Sequence, residues 1–267
     1  MLNPTTFNDK ITWRLLFDRR GIYARVSGKF ETRDFVRERL GSEALLVPLV
    51  GMITHPSDVR RMVFPAAFIL KINDGSQMRR IYTRGDPVDL DEMEDLIRTW
   101  LRHNYGKYAH EWAYTQVQHA VIVEEFIGSD AGIPPDDVKL NCFDGKVDTI
   151  VLVQRGGPIP VAGHYDRDWN YLDVGVGATI KGTPVPPPPA LTKAIAVAER
   201  LSAGLDYVRI DLFIVGDDVR VGEFTMLHTS GMCQFDPPEF DEIFGRPWVL
   251  PQGVGPVSAL FGGQPIL

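Results

Sequence analysis

The sequence YVRIDLFIVGDDVRVGEFT, residues 207–225, decides the fold. Apolar and polar residues alternate on both sides of residues 216–218, which is typical of two antiparallel strands joined by a tight turn. Alternate residues of a strand point to opposite faces of a sheet. If residues 216–218 form the loop, Asp211 lies directly opposite Glu223 in the neighbouring strand.

This carboxylate pair is a candidate metal site. Directly opposed residues have Cβ atoms about 5 Å apart, and like charges there destabilise a sheet. A divalent cation would convert that penalty into binding, and hard oxygen ligands beside a phosphate-bearing substrate favour Mg²⁺. The alternative is two solvated carboxylates on an exposed face. A one-residue change of register, or a bulge at Gly222, would separate Asp211 from Glu223, so the residues alone leave both interpretations open.

Working outward, the same alternation predicts two further hairpins, the clearer of which turns at Asp144-Gly145, a sequence suited to a type I′ turn. Helical periodicity predicts at least two N-terminal helices, broken at Gly21 and Gly28, and two later helices. Hairpins with helices packed on one side indicate an α+β fold rather than a doubly wound parallel sheet. The predicted hairpins cover residues 68–72 with 77–82 and 138–143 with 146–153, a buried strand covers 120–127, and helices cover 10–40, 91–105 and 191–201.

Composition and charge exclude several classes of protein. The chain has 267 residues, of which 44% are hydrophobic and 24% charged, so a sizeable core is expected and global disorder is not. The net charge of −7 argues against nucleic-acid binding, which needs a basic face. Cys142 and Cys233 form no CxxC pair, so neither a zinc site nor a disulfide framework is indicated.

The N-terminal residues and the longest apolar run indicate where in the cell the protein is expected. The first residues lack the basic and apolar regions of a signal peptide, and the longest apolar run, residues 44–53, is too short to cross a bilayer. We therefore expect a cytoplasmic protein that is not integral to the membrane. Residues 184–189 predict a stiff proline-rich spacer, and residues 247–267 an extended cover. The oligomeric state stays open.

Charged residues inside apolar strands are candidates for ligand binding. Lys71 and Lys139 each lie within an apolar β pattern, where a lysine either snorkels at the sheet surface or faces an anion. Two such lysines together with a carboxylate pair favour a phosphate site. Glu124 and Glu125 follow the apolar run 121–123, and one of them could accept a hydrogen bond from an adenine amino group. The alternative is a strand end that emerges into solvent.

Several of these stretches together resemble the ATP-grasp superfamily, and specifically its TupA-like branch, which is linked to teichuronopeptide and surface-polysaccharide biosynthesis. The order and spacing of the pieces carry the resemblance, which covers almost the whole chain. The pieces are Phe7-Asn8-Asp9-Lys10-Ile11 with Trp13, Lys29 and Arg33 with Phe35-Val36, Phe68-Ile69-Leu70-Lys71, Glu111-Trp112 with Tyr114, Ile122-Val123-Glu124-Glu125, Val138-Lys139, Phe143-Asp144-Gly145-Lys146, Val208-Arg209-Ile210-Asp211, Gly222-Glu223-Phe224-Thr225 and Ser230-Gly231.

The resemblance implies an ATP-grasp fold, in which two antiparallel-sheet lobes clasp ATP after a small helical N-terminal region. The expected division is an N-terminal region at 1–63, a small lobe with the phosphate hairpin and adenine hinge at 64–128, and a large lobe with the metal site at 129–267. ATP and Mg²⁺ are the expected cofactors.

The resemblance also implies a role for individual residues. Arg209 and Lys139 would be catalytic, with Arg209 steadying the transferring phosphoryl group. The metal ligands would be Asp211 and Glu223, with Thr225 at a position where many relatives carry Asn. ATP would be bound by Lys71, Gly75, Ser76, Glu124, Glu125, Phe126, Ile127, Asp130 and Lys139, and the acceptor by Arg167, Trp169, His228 and Ser230.

Three positions depart from the pattern of this branch. The turn at residues 73–77 holds one glycine, Gly75, where a His and a second Gly are expected. Gly28 replaces an Asp before Lys29, and His110 replaces an Arg. With one glycine the backbone approaches phosphates less closely, so altered substrate binding is expected.

The implied activity is that of an ATP-dependent carboxylate–amine ligase that works through an acyl-phosphate. It would add an amino acid or similar group to a small-molecule, glycan or peptide acceptor in cell-surface polysaccharide or peptide biosynthesis. Two alternatives remain: a phosphotransferase on the same scaffold and a non-catalytic nucleotide-binding module.

Overall fold

A computed structural model describes residues 3–252 and residue 254 of the chain. The helices are α1 (Phe7–Phe17), α2 (Ile22–Ser27), α3 (Glu31–Leu40), α4 (Leu90–Trp100), α5 (Tyr105–Tyr108), α6 (Leu191–Ser202) and α7 (Phe240–Gly245). The strands are β1 (Leu49–Ile53), β2 (Phe68–Ile72), β3 (Arg79–Tyr82), β4 (Val121–Glu125), β5 (Asp137–Phe143), β6 (Lys146–Gln154), β7 (Val161–Asp166), β8 (Tyr171–Leu172), β9 (Gly175–Val176), β10 (Ile180–Lys181), β11 (Tyr207–Val215), β12 (Asp218–Thr225) and β13 (Phe235–Asp236). Three 3₁₀ turns cover Pro56–Arg61, Trp112–Gln116 and His228–Gly231.

These strands form two main sheets. The smaller sheet has the order β1-β4-β2-β3, and the larger has the order β10-β7-β6-β5-β11-β12 with β8 beside β7. Neighbouring strands are antiparallel except β10 and β7, and β13 pairs with β9 separately. The predicted α+β class is therefore confirmed.

The β11–β12 hairpin has the predicted pairing of Asp211 with Glu223 but a different loop length and register. Val215 pairs with Asp218, so the loop has two residues rather than the predicted three. The register then shifts by one residue at Gly222, where a bulge forms beside Asp211. The shorter loop and the bulge cancel, and Asp211 lies opposite Glu223 as predicted. A side chain at position 222 would meet Phe213 at 2.9 Å, so glycine fits the bulge.

The larger sheet buries one face and turns the other to the cleft. Leu140 of β5 and Ile210 of β11 are fully buried in one cluster with Ala198 of α6. Burying side chains of leucine or isoleucine size contributes about 1.5–3 kcal/mol each. Because strand residues alternate, the neighbours Lys139 and Asp211 must face the opposite side. The pattern that stabilises the core therefore also decides which face carries charge.

The smaller sheet follows the same rule. Leu70 of β2 and Val123 of β4 are fully buried in one cluster with Met93 of α4. The adjacent residues Lys71 and Glu124 consequently lie on the other face. Each sheet thus presents charged residues on the face away from its own core.

Most predicted elements agree with the observed ones within two residues. The predicted helix over 91–105 is an exception, because α4 ends at Trp100 and a separate α5 begins at Tyr105. The Asn104 side chain causes the new start: its Oδ1 accepts a hydrogen bond from the Lys107 N–H at 3.0 Å, which is an N-cap. The strands β1 and β7 were not predicted.

The small sheet includes a strand that precedes the expected boundary at residues 63 and 64. β1 lies before that boundary, yet it pairs along its length with β4. The proline-rich segment 184–189 is irregular and joins β10 to α6. The predicted cover at 247–267 falls mostly outside the described residues. No helix in the described part of the chain is both long and apolar enough to cross a membrane.

Candidate nucleotide and acceptor site

A cleft between the two sheets collects most of the predicted site residues. Lys71 reaches it from β2, Lys139 from β5, Asp211 from β11 and Glu223 from β12. The cleft is also lined by Lys29, Val47, Ile69, Gly75, Ser76, Gln77, Met78, Arg79, Glu125, Phe126, Ile127, Pro134, Pro135, Asp137, Arg155, Phe213 and Gly222.

Asp211 is the centre of an ionic network on the floor of the cleft. The Lys139 Nζ donates to its Oδ2 at 2.5 Å, and the Arg209 Nε donates to its Oδ1 at 2.7 Å. Arg209 also donates from Nη2 to the Thr225 Oγ1 at 3.0 Å. Burial alone would raise the pKa of Asp211, but Arg209 and Lys139 outweigh it and hold that pKa well below its usual range. Asp211 is therefore ionised at neutral pH.

The network extends to a second carboxylate. Asp137 is buried and pairs with Lys139 at 2.8 Å and with Arg155 at 2.6 Å. Lys139 thus bridges two carboxylates on neighbouring positions of β5 and β11. This fixes the position of its ammonium group on the cleft floor.

The donor set around Glu223 suits Mg²⁺. Glu223 lies directly opposite Asp211, faces the cleft, and forms no ion pair with any described residue. The described residues contain no cluster of three or more His, Cys, Asp or Glu side chains that could hold a metal alone. Mg²⁺ usually takes one or two protein carboxylates and completes its shell with phosphate oxygens and water. Glu223 therefore fits a metal that arrives with a phosphate ligand. Both Asp211 oxygens accept hydrogen bonds from Lys139 and Arg209, so Asp211 would join the metal shell by exchanging one of these bonds.

Glu124 lies differently from the predicted adenine contact. Its side chain is 9% exposed and binds two cations, the Arg33 Nη1 at 3.0 Å and the Lys71 Nζ at 2.7 Å. Glu124 therefore holds Lys71 in position, and it does not itself line the cleft. Glu125 and the two residues after it do line the cleft, and they remain candidates for a hinge.

The turn after Lys71 is anchored by side chains rather than by a second glycine. Asn73 is fully buried; its Oδ1 accepts from the Phe30 N–H at 2.7 Å, and its Nδ2 donates to the Gln118 carbonyl at 2.8 Å. A Cβ on Gly75 would lie 3.0 Å from Ile72 and 3.1 Å from Tyr105, so a larger residue would require these side chains to shift. The altered loop is thus a defined structure.

Lys29 belongs to the cleft, although the sequence did not assign it a role. Its Nζ donates to the Gly75 carbonyl at 2.6 Å and its side chain is half-buried. Burial lowers its pKa, while Glu223 acts in the opposite direction. Lys29 lies between α2 and α3, outside any strand pattern, so only its place in the family motif could have suggested this position.

A second pocket adjoins the cleft, and we call it the adjoining pocket. It shares Ser76, Gln77 and Glu223 with the cleft and continues past Arg209. Its other lining residues are Arg14, Leu15, Asp18, Arg19, Tyr23, Ser27, Tyr105, Glu111, Trp112, Ala113, Tyr114, Phe224, Thr225, Met226, Leu227, His228, Thr229 and Ser230.

Two of the predicted acceptor residues lie in this adjoining pocket. Ser230 donates from its Oγ to the Glu111 Oε1 at 2.8 Å. Burial, reinforced by nearby Arg209, lowers the pKa of His228 to about 3, so His228 is neutral at pH 7 and a weak base. Glu111 was not predicted as a site residue.

Three predicted residues lie elsewhere. Arg167 pairs with Glu199 of α6 at 3.0 Å, and Trp169 stacks on Tyr165 with ring centroids 4.0 Å apart. Neither Arg167 nor Trp169 lines the cleft or the adjoining pocket, so the structure gives no support to their assignment to the acceptor. Asp130 is exposed on the loop between β4 and β5 and does not line the cleft.

Two antiparallel sheets that face each other across a lysine-rich cleft with a carboxylate pair on its floor define the ATP-grasp fold. The chain belongs to the TupA-like ATP-grasp family, whose sequence model matches residues 9–249. The resemblance read from the sequence is therefore confirmed.

Solved structures similar to this chain include three ligases. The ATP-grasp ligase PsnB complexed with its minimal precursor is 17% identical, with a TM-score of 0.43 over 76% of this chain and 52% of that one. The D-alanine–D-alanine ligase of Bacillus anthracis is 16% identical, with a TM-score of 0.43 over 76% and 57%. The phosphoribosylamine–glycine ligase of Thermotoga maritima is 13% identical, with a TM-score of 0.46 over 76% and 48%.

The chain therefore spans about half the length of these proteins. A comparison with curated protein sequences found no match.

Proposed function

We propose that this protein binds Mg-ATP in the cleft and uses it to join a carboxylate to an amine through an acyl-phosphate. The observation that carries the proposal is the convergence of Lys29, Lys71, Lys139 and Arg209 around a cleft whose floor holds an opposed carboxylate pair. A polyanionic ligand with a bound divalent cation suits this site, because the basic residues attract the anion and the carboxylate pair attracts the cation. Family membership supports the same ligand.

The cleft suggests an orientation for the nucleotide. The triphosphate would lie between Lys71 and Lys139, against the turn that holds Gly75 and Ser76. The base would lie at the other side, against residues 125–127, where the chain passes between the sheets. Glu223 and Asp211 would hold Mg²⁺, which when bound neutralises phosphate oxygens as a Lewis acid.

The first chemical step needs position and charge rather than a base. A substrate carboxylate is already ionised at neutral pH, and one of its oxygens attacks the γ-phosphorus of ATP. The bond from that phosphorus to the bridging oxygen breaks, and ADP leaves with its electron pair. Lys139 lines the cleft and Arg209 lines the adjoining pocket, and both bind Asp211, so they can neutralise the negative charge that shifts to the leaving group.

The second step forms the new bond in the adjoining pocket. An amine that has released its ammonium proton to solvent attacks the acyl carbon. The bond from that carbon to the phosphate oxygen breaks, phosphate leaves with the electron pair, and the nitrogen releases a second proton to solvent. Glu223 belongs to both cavities, so an acceptor held in the adjoining pocket is adjacent to the proposed metal position. Enclosure by the two lobes limits attack by water on the intermediate.

The division into an N-terminal region and two lobes is part of this proposal, with the small lobe extended to include β1. We also propose, on the basis of the family, that the acceptor belongs to cell-surface polysaccharide or peptide biosynthesis and that the reaction is cytoplasmic, where ATP is present.

Hydroxylamine trapping tests the activity directly. Purified protein is incubated with Mg-ATP, a panel of carboxylic acids and hydroxylamine, and both ADP and hydroxamate are measured. The ligase forms ADP and hydroxamate together, and Arg209→Met loses both by a factor of about 10² or more. The matched control is Arg220→Met on β12, which removes an arginine paired with Asp218 outside both cavities.

Two other results would replace the proposal. ADP released with a stable phosphorylated product and no hydroxamate would identify a phosphotransferase. Binding of ATP with no ADP over the whole panel would favour a nucleotide-binding module without catalysis.

A further inference from the structure

Buried carboxylates in the described part of this chain lie beside a basic side chain, with one exception. Six acidic side chains are buried there: Asp18, Asp74, Glu111, Glu124, Asp137 and Asp211. Five of them lie within ion-pair distance of an arginine, lysine or histidine. Glu111 has no such partner among the described residues.

The surroundings of Glu111 make its negative charge still less favourable. Glu111 is 6% exposed and faces the adjoining pocket, and its one side-chain hydrogen bond comes from the neutral Ser230 hydroxyl. Burial raises the pKa of Glu111, the Ser230 hydrogen bond opposes the rise, and the negative charge of Glu223 adds to it. An unpaired buried charge is costly, and a cation supplied by a ligand would remove the cost.

The shape and walls of the pocket suit an organic cation. Tyr105 and Tyr114 meet edge to face with ring centroids 5.3 Å apart. Trp112 also lines the pocket, and the Arg19 guanidinium lies 5.8 Å from its ring centroid, so the two tyrosines are the aromatic groups available to a ligand cation. Aromatic faces attract ammonium groups, by about 0.5–1 kcal/mol at exposed sites and more when water is excluded. A carboxylate placed beside Glu111 would meet a like charge, whereas Arg14 and Arg19, which also line the pocket, do not pair with Glu111.

Arg209 does not neutralise this part of the pocket. Its guanidinium donates to Asp211 through two nitrogens, at 2.7 and 2.8 Å, and also to Thr225. Burial would lower the pKa of Arg209, but Asp211 outweighs it and raises that pKa further above its ordinary value. The positive charge on the cleft floor is therefore already paired, and Glu111 stays without a counter-ion.

We infer that the adjoining pocket is the binding site for a primary ammonium group and that Glu111 is the residue that anchors it. The inference rests on the proposed function, because it identifies the amine substrate of the ligase as one that arrives protonated. In the pocket the ammonium donates to Glu111 and lies against the tyrosine rings. Ser230 is a positioning residue that fixes the Glu111 carboxylate.

Benzylamine and benzyl alcohol test this inference as a charged and a neutral ligand of similar shape. Their equilibrium dissociation constants are measured at neutral pH by tryptophan fluorescence, with Trp112 as a reporter in the pocket wall. The wild type is compared with Glu111→Gln, which keeps the size of the side chain and removes its charge. Glu242→Gln is the matched control, because Glu242 is 64% exposed and lies on α7.

The ammonium site predicts that the wild type binds benzylamine at least about tenfold more tightly than benzyl alcohol and that Glu111→Gln loses this preference. Glu242→Gln should keep it. Equal binding of the two ligands by the wild type, or an unchanged preference in Glu111→Gln, would overturn the inference. If Glu111→Gln does not fold, the comparison of the two ligands on the wild type decides.

Binding of AMPPNP, a non-hydrolysable ATP analogue, is measured on the same samples. A Glu111-dependent preference for benzylamine supports the ammonium site whatever the nucleotide result. Absence of AMPPNP binding counts against the proposed ligase alone, so the two failures are distinguishable.

Discussion

Replacing Glu124 with glutamine separates two possible roles of this residue. The sequence suggested that Glu124 reads the adenine base. In the structure its carboxylate is 9% exposed and binds Arg33 at 3.0 Å and Lys71 at 2.7 Å. Glu124→Gln keeps the side-chain shape but removes the charge that neutralises both cations. The structural role predicts a loss of stability, whereas the adenine role predicts a loss of ATP affinity.

The expected loss of stability follows from burial. Arg33 is 7% exposed, and its Nε is buried with no hydrogen-bond partner among the described residues, so Glu124 is its charged partner. Removing one partner of a buried ion pair costs about 3–5 kcal/mol. For a domain of this size each kcal/mol lowers Tm by about 2–4 °C, so Glu124→Gln should lower Tm by roughly 10 °C.

Thermal unfolding and AMPPNP binding are measured on the same preparations, with binding measured well below the lower Tm. The control is Glu125→Gln, one residue further along, where the side chain is exposed and Tm should change by no more than about 2 °C. The reasoning is refuted if Glu124→Gln keeps the wild-type Tm while its dissociation constant for AMPPNP rises tenfold or more.

Two further predictions concern the cleft, and a third concerns the His119–Asp74 pair. Glu223→Gln should reduce Mg-dependent ADP formation by a factor of about 10² or more. Its Tm should fall by no more than a few degrees, because Glu223 forms no ion pair with a described residue. A large fall in Tm would contradict this prediction. Lys29→Met should raise the dissociation constant of AMPPNP by about tenfold, since the lysine fixes the turn at Gly75, and an unchanged constant would refute that role. His119 lies 2.7 Å from Asp74; burial would lower its pKa, but hydrogen bonds to a backbone carbonyl and to Asp74 outweigh this and raise it. The stabilisation from protonated His119 is complete below the unfolded pKa of 6.5 and is lost as pH rises through the higher pKa of the folded state. His119→Gln should therefore lower Tm more near pH 6 than near pH 9. An equal fall in Tm at both pH values would contradict a stabilising ion pair between His119 and Asp74.

Strand alternation predicted the floor of the site well. The residues 207–225 placed Asp211 opposite Glu223, because a period of two fixes which residues share a face. The pairing was right although the loop length was wrong, since the bulge at Gly222 compensates for the shorter loop. The alternation of apolar and polar residues does not reveal such a bulge, although Gly222 indicated a position where a bulge could form.

Long-range contacts decide the environment of several candidate residues. The resemblance implied that Glu124 binds ATP, and in the structure its carboxylate is bound by Arg33, which is 91 positions earlier in the chain. Trp169 was assigned to the acceptor, but it packs on Tyr165. Glu111 was overlooked as a site residue because its lack of a counter-ion is a property of the folded chain.

The most direct test of the proposed ATP-binding cleft is to determine where Mg-ATP binds. A crystal structure of the protein with Mg²⁺ and AMPPNP should show the triphosphate between Lys71 and Lys139, and Mg²⁺ bound to Glu223 and Asp211. A nucleotide bound outside the cleft, or one in the cleft whose metal contacts neither carboxylate, would contradict the account.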